Sequence, residues 1–181
     1  MEVNGYKIEF GADLSYADLS NADLTNAKLS YANLTGANLT GANLSNTDLN
    51  WANLTGANLT DAKLFFTQLQ RANLSHTNLS NLDLVHCMLT SASLRGANLT
   101  GANINSGDLT LTNLTGANLT GANLSNTILN FANLSRANLT DAKLIHIHLQ
   151  RANLSHTNLS NLDLHDCDLS GATMPDGTIH D

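Results

Sequence analysis

Ala37-Asn38-Leu39-Thr40-Gly41, Ala42-Asn43-Leu44-Ser45-Asn46, Thr47-Asp48-Leu49-Asn50-Trp51, Ala52-Asn53-Leu54-Thr55-Gly56, Ala57-Asn58-Leu59 is the stretch whose reading decides the fold. Extended both ways, it becomes a leucine at every fifth position from Leu14 to Leu169, interrupted only by Ile104, with a small residue, usually alanine, two places before. On an α-helix five residues advance about 500°, so the leucines would wander around the axis and form no apolar face. In an extended segment the alanine and leucine point one way and the Asn or Asp between them points the other. The next alanine comes an odd number of residues later, so a straight strand would present it to the wrong side and the chain must bend.

The two positions between leucine and alanine carry corner chemistry, as in Thr35-Gly36, Ser45-Asn46 and Thr60-Asp61. Gly, Asn and Asp tolerate the positive φ that the third position of a type II turn requires. Strand, corner, strand, corner winds the chain into a coil with the leucines inside. Coils stacked at about 4.8 Å bury what one coil cannot.

A longer repeat sets the coil size. Asn33 to Leu89 recurs as Asn113 to Leu169, with Gln70 to Leu84 matched by Gln150 to Leu164, an offset of 80 residues. A whole number of coils fits if each coil has four sides and 20 residues, and does not fit coils of 15. At this point the chain resembles the pentapeptide-repeat family, built from A-(D/N)-L-x-x units. The resemblance implies an all-β fold: a right-handed quadrilateral parallel β-helix of about eight coils. The expected organisation is an N-terminal cap at 1–11, the β-helix at 12–171 and a C-terminal cap or tail at 172–181. Val3, Tyr6, Ile8 and Phe10 supply the apolar set of the first cap, and Pro175 removes a backbone donor where the repeat stops. The closing Met174 to His180 resembles the tails of cyanobacterial members and points to such a source.

Formal net charge is −7, concentrated near the two ends, and the middle is close to neutral. A basic nucleic-acid-binding surface is not expected. No apolar run reaches membrane-spanning length and the start lacks signal-peptide form, so a soluble cytoplasmic protein is the expectation, with no membrane partner. Cys87 and Cys167 occupy equivalent inward positions about 19 Å apart along the axis, too far to pair. Gly107 replaces the inward alanine beside Ile104, and Leu82, Leu162 and Ile147 enlarge inward positions. A local irregularity is expected around Ile104 to Leu111, and a bulging wall at the larger residues.

Residues 20 apart stack, so surface columns can be read off directly. One runs Tyr31, Trp51, Arg71, Ser91, Leu111, Phe131, Arg151. Aromatic and arginine side chains dominate protein interfaces, and Trp51 beside Arg71 suits a cation–π contact. Stacking of neighbouring rings along a solenoid edge is the competing reading. Phe65, Phe66, Val85 and Ile145 form a smaller apolar patch. Lys63 beside Asp83, and Lys143 beside Asp163, read as surface ion pairs.

His146 and His148 fall one coil from Asp166 and Asp168 and resemble a loose metal site. Solvated His–Asp pairs are the plainer reading, and no cofactor is expected. The hydroxyl column Ser20, Thr40, Thr60, Ser80, Thr100, Thr120, Thr140, Ser160 resembles the ice-binding faces of some β-solenoids, although turn chemistry accounts for it equally. Ser, His and Asp lie on convex positions with no cleft, so catalysis is not expected.

The functional expectation is a non-enzymatic rod that binds a protein partner along the Trp51 edge or through its ends, as a monomer or as an end-to-end or edge-mediated dimer. The family resemblance implies an alternative, imitation of DNA toward DNA gyrase or topoisomerase. That role calls for a longitudinal acidic surface and loops interrupting the coils, which this sequence lacks.

Overall fold

The computed structural model describes residues 1–160 and 162–181. Its parallel bridges join residues 20 apart: Asp13 with Asn33, Asp18 with Asn38, Asp23 with Asn43, Lys28 with Asp48, and so on up the rod. One storey is therefore four five-residue sides, and the rod has four faces. The first is centred on Asp13, Asn33 and Asn53, the second on Asp18, Asn38 and Asn58, the third on Asp23, Asn43 and Lys63, the fourth on Lys28, Asp48 and Gln68.

Each side is held by a short, repeated set of bonds. Leu34 N–H donates to the Asn53 carbonyl at 2.7 Å, and Asn53 N–H returns a bond to Ala32 at 2.9 Å. The corner closes with Ala37 N–H on the Leu34 carbonyl at 3.0 Å, with Gly36 at φ 64° in the third position of the turn. The outward Asn completes the corner: Asn33 Oδ1 accepts the Thr35 N–H at 3.2 Å and its hydroxyl at 2.7 Å. Asn and Asp are the residues short enough to make this Asx turn. Asn38 Nδ2 also reaches Asp18 Oδ1 in the adjacent storey at 3.0 Å. Inside, alanines and leucines from Leu14 to Leu154 form one continuous buried column. Its void beside Leu144 and Leu164 is only about 10 Å³, roughly the room of one water and lined by apolar side chains.

The ends are covered differently. Strand β1 (Glu2–Val3) pairs antiparallel with β2 (Tyr6–Lys7), and Ile8 enters the core. The Tyr6 hydroxyl accepts the Asp18 N–H at 3.3 Å. Phe10, expected among the cap's apolar residues, is instead 66% exposed. At the other end the tail folds back, Thr173 pairing antiparallel with Ile179 and Pro175 accepting the His156 N–H at 3.0 Å. Leu159, Leu162 and Leu164 stay only partly covered there.

The ladder opens in two places. Among the described residues, the amides of Leu59, Asp61, Leu64, Phe66, Asn78 and Asp83 make no inter-storey bond, and the same holds 80 residues on for Leu139, Asp141, Leu144, His146, Asn158 and Asp163. Both seams accompany an inward leucine, Leu82 or Leu162, where neighbouring storeys carry alanine; the wall parts rather than bulges. The inward threonines mark the change. Thr47 and Thr67 donate to Leu24 and Leu44 of the storey before, whereas Thr77 and Thr157 turn back across the corner to Leu74 and Leu154 of their own storey. Ile147, branched at Cβ rather than Cγ, keeps the inter-storey bonds beside it, His148 N–H meeting Thr127 at 3.0 Å and Asp168 N–H meeting Ile147 at 3.0 Å, while among the described residues its own corner bond to the Leu144 carbonyl is absent. Around Ile104 the turn and upward bonds persist, and the loosening is confined to the missing bonds of His86, Leu89 and Asp108.

Candidate functional site

The four faces differ in chemistry. The first two carry Asn or Asp at every central position except Ser93 and Thr173, and the third adds Lys63 and Lys143. The fourth reads Lys28, Asp48, Gln68, Met88, Asp108, Ile128, His148, Asp168, with no asparagine. Between the two near-identical halves, the central residues at 33–83 on the other faces recur unchanged at 113–163. On the fourth face Asp48 becomes Ile128, Gln68 becomes His148 and Met88 becomes Asp168.

This variety has a structural cost. Lys28, Gln68, Met88, Ile128 and His148 cannot build the Asx turn, and among the described residues the amides of Ser30, Thr90 and Asn130 have no side-chain acceptor. Each lost bond forgoes about 0.5–1.5 kcal/mol. Gln70 and Gln150 recover theirs by donating N–H to Asn50 Oδ1 at 2.9 Å and Asn130 Oδ1 at 3.0 Å in the storey before.

The column Tyr31, Trp51, Arg71, Ser91, Leu111, Phe131, Arg151 lies along the corner that ends this face. Tyr31 and Trp51 stack at 5.8 Å with planes 6° apart, Phe10 tilts against Tyr31 at 5.3 Å, and the Arg71 guanidinium sits 4.6 Å over Trp51. Arg151 covers Phe131 at 5.7 Å. Ring faces thus meet one another along the rod, and edges point outward. The competing reading, stacking of neighbouring rings along a solenoid edge, describes the contacts of this column. Leu111 remains 58% exposed, and with Met88, Ile128 and Phe131 it makes an apolar patch shared by the face and its corner. Sequence reasoning found the corner and missed the face, although every twentieth residue from Lys28 carried the signal.

The other candidates disperse. His146 Nδ1 stands 3.9 Å from Asp166, while Asp168 accepts from Gln150 and Ser170, and His148 joins neither. Among the described residues no three His, Cys, Asp or Glu side chains gather closely enough to share a metal ion. Phe65 and Phe66 pack edge to face at 4.3 Å, and Phe66 stacks on His86 at 4.9 Å across the first seam. Lys63 does not pair with Asp83, which accepts instead from Val85 N–H and Asn103; nor is Lys143 paired with Asp163 among the described residues. Lys63, Phe65, Asp83 and Val85 border a groove of about 270 Å³ over that seam. The hydroxyls proposed for ice are engaged internally, Thr40, Thr60, Thr100, Thr120 and Thr140 each donating to their own Asn at 2.7 Å. Cys87 and Cys167 are free thiols; burial pushes the Cys87 thiol up to about 12, so it is not a nucleophile near neutrality.

The family profile described as pentapeptide repeats matches in overlapping segments, 10–41, 32–65, 67–105, 92–130, 108–144 and 132–171. The chain belongs to the pentapeptide-repeat family. Among solved pentapeptide-repeat structures it is similar to HetL, involved in heterocyst differentiation regulation in the cyanobacterium Nostoc, at 33% identity over 97% of this chain and 94% of that one, with a TM-score of 0.63. A trypsin-treated variant of QnrB1, a plasmid-mediated fluoroquinolone resistance protein, matches at 20% identity over 92% and 81% with a TM-score of 0.58, a likeness of fold alone. No curated protein sequence matches. The pentapeptide-repeat fold here is the right-handed quadrilateral β-helix of these neighbours, with the four-sided storey expected from the 80-residue offset.

Proposed function

We propose that this pentapeptide-repeat protein is a non-enzymatic interaction rod whose fourth face and adjoining corner dock a protein partner. The observation that carries the reading is the concentration of replacements on one face, where Lys28, Gln68, Met88, Ile128 and His148 stand in place of Asn or Asp, against Lys63, Ser93, Lys143 and Thr173 on the other three together. The apolar patch of Met88, Leu111, Ile128 and Phe131 supplies buried contact area, and the Arg71 and Arg151 stacks supply anchors of the kind that concentrate binding energy. Similarity to HetL, a protein of regulatory context, supports a role exercised through contact. Lys28 and His148 are interspersed with Asp48, Asp108 and Asp168, which breaks up the uniform acidic stripe that DNA imitation requires. The gyrase reading therefore gains nothing from the geometry.

Affinity capture from the source organism tests this. A partner retained by the wild-type rod is expected to be lost with Ile128→Asn or Trp51→Ala and kept with Asn58→Asp on the second face. Equal loss in all three would remove the assignment to this face.

A further inference from the structure

We infer that the fourth face recognises a second copy of the chain, antiparallel, about a twofold axis crossing the rod between the storeys of Met88 and Asp108. This rests on the reading of that face as the docking surface and names its occupant. With the faces flush, an axis there sets Lys28 against Asp168 of the second copy, Asp48 against His148, Gln68 against Ile128 and Met88 against Asp108. Along the corner it sets Trp51 against Arg151, Arg71 against Phe131 and Ser91 against Leu111. Like charges never meet, and Trp51 and Phe131 each meet a guanidinium.

Other arrangements lack this match. Moving the axis half a storey either way brings Lys28 to His148 or Asp48 to Asp168, and moving it a full storey leaves no pair of opposite charge on the face. A parallel pair in register opposes each residue to its own copy, with four facing like-charged pairs at 28, 48, 108 and 168. The antiparallel pairing also accounts for where the halves differ. It lays the first half of one copy on the second half of the other, so complementary charge demands that the halves diverge on this face, and this is where Asp48, Gln68 and Met88 give way to Ile128, His148 and Asp168. Isologous pairing of this kind closes on itself and stops at two. A flat strip about 40 Å long and one face wide makes a reversible dimer rather than an obligate one.

Sedimentation velocity of the full chain, from micromolar to near-millimolar concentration, tests the inference through opposite substitutions at one exposed site beside the axis. Wild type is expected to dimerise with concentration. Met88→Asp, facing Asp108 twice, is expected to weaken the dimer by about tenfold, and Met88→Lys to tighten it by a similar factor. Lys28→Asp should weaken it, and Lys28→Asp with Asp168→Lys should restore it. A rod that stays monomeric throughout overturns the inference. A dimer indifferent to these charges also overturns it and points to the partly covered Leu159, Leu162 and Leu164 end. In either case, capture of a different protein lost with Ile128→Asn leaves the docking face standing, so the two readings fail separately.

Discussion

Ile104 fills the space that a methyl group on residue 107 would need. A Cβ on Gly107 would stand 2.9 Å from the Ile104 carbonyl oxygen and 3.1 Å from Ile104 Cγ2. Ile104 is also the single break in the leucine series, and Gly107 the single glycine in the inward alanine series. The two departures compensate each other.

Gly107→Ala alone is therefore expected to destabilise the rod, and Ile104→Leu with Gly107→Ala to recover the part of the loss owed to Cγ2, the carbonyl contact remaining with any residue at 104. Denaturant unfolding of the two single variants and the double should give a coupling of about 0.5–2 kcal/mol. Additive effects would show that the pair is independent.

Met88→Asn restores the Asx turn at a corner whose Thr90 amide has no side-chain acceptor. It should raise stability by about 0.5–1.5 kcal/mol while removing an apolar contact from the docking face. Thermal unfolding reads the gain. A lower melting temperature would mean that Met88 contributes packing that an Asx turn does not replace.

The seams should be visible to hydrogen exchange. Leu64 and Asp83 sit at the first seam without ladder bonds, whereas Leu44 donates to Lys63 and Asn103 to Leu82 at 2.8 and 2.9 Å. The amides of Leu64 and Asp83 are expected to exchange at least about 100-fold faster than those of Leu44 and Asn103, in the manner of local opening. Equal protection would close the seam.

Acid should weaken the ends first. The Thr25 hydroxyl and then its amide hold the Asp23 carboxyl below the usual 3.8, and Thr178 does the same for Asp176. A carboxylate with a depressed folded-state value stabilises fully above 3.8 and loses that contribution as pH falls through the lower value. Melting temperature is expected to be flat above about pH 5 and to fall below about pH 4. Asp23→Asn with Asp176→Asn, which keep the turns without the charge, should flatten the acid limb.

The thiols should be slow to react. Burial raises both, Cys87 to about 12, and Cys167 is the less covered of the two. Alkylation of the native protein near pH 8 should reach Cys167 first and Cys87 only on unfolding. Rapid modification of Cys87 would place the storey boundary elsewhere.

The architecture was open to reading from the leucine period because the cause is local: alternation fixes Ala and Leu inward, and Ser-Asn or Thr-Gly turns the corner. The 80-residue offset then chose the four-sided storey. The seams were not readable in this way. Leu82 and Ile147 look alike in sequence, as enlarged inward residues, and differ in where the side chain branches within a space set by neighbouring storeys. The missing Lys63–Asp83 pair has a similar cause, since Asp83 is already held by Val85 and Asn103. The fourth face was hidden for another reason. Met88 and Ile128 are unremarkable alone and become significant only beside the Asn they replace on the other sides.

Asn and Asp hold most corners on three sides, whereas the backbone ladder, which runs past Ile128 unaltered, is indifferent to what that residue displays. Such a molecule resembles a ruled page. Its binding vocabulary can be rewritten one letter at a time, at a pitch of about 4.8 Å, without disturbing the lines beneath. Duplicating the page lengthens the message and supplies blank copy for a complementary text.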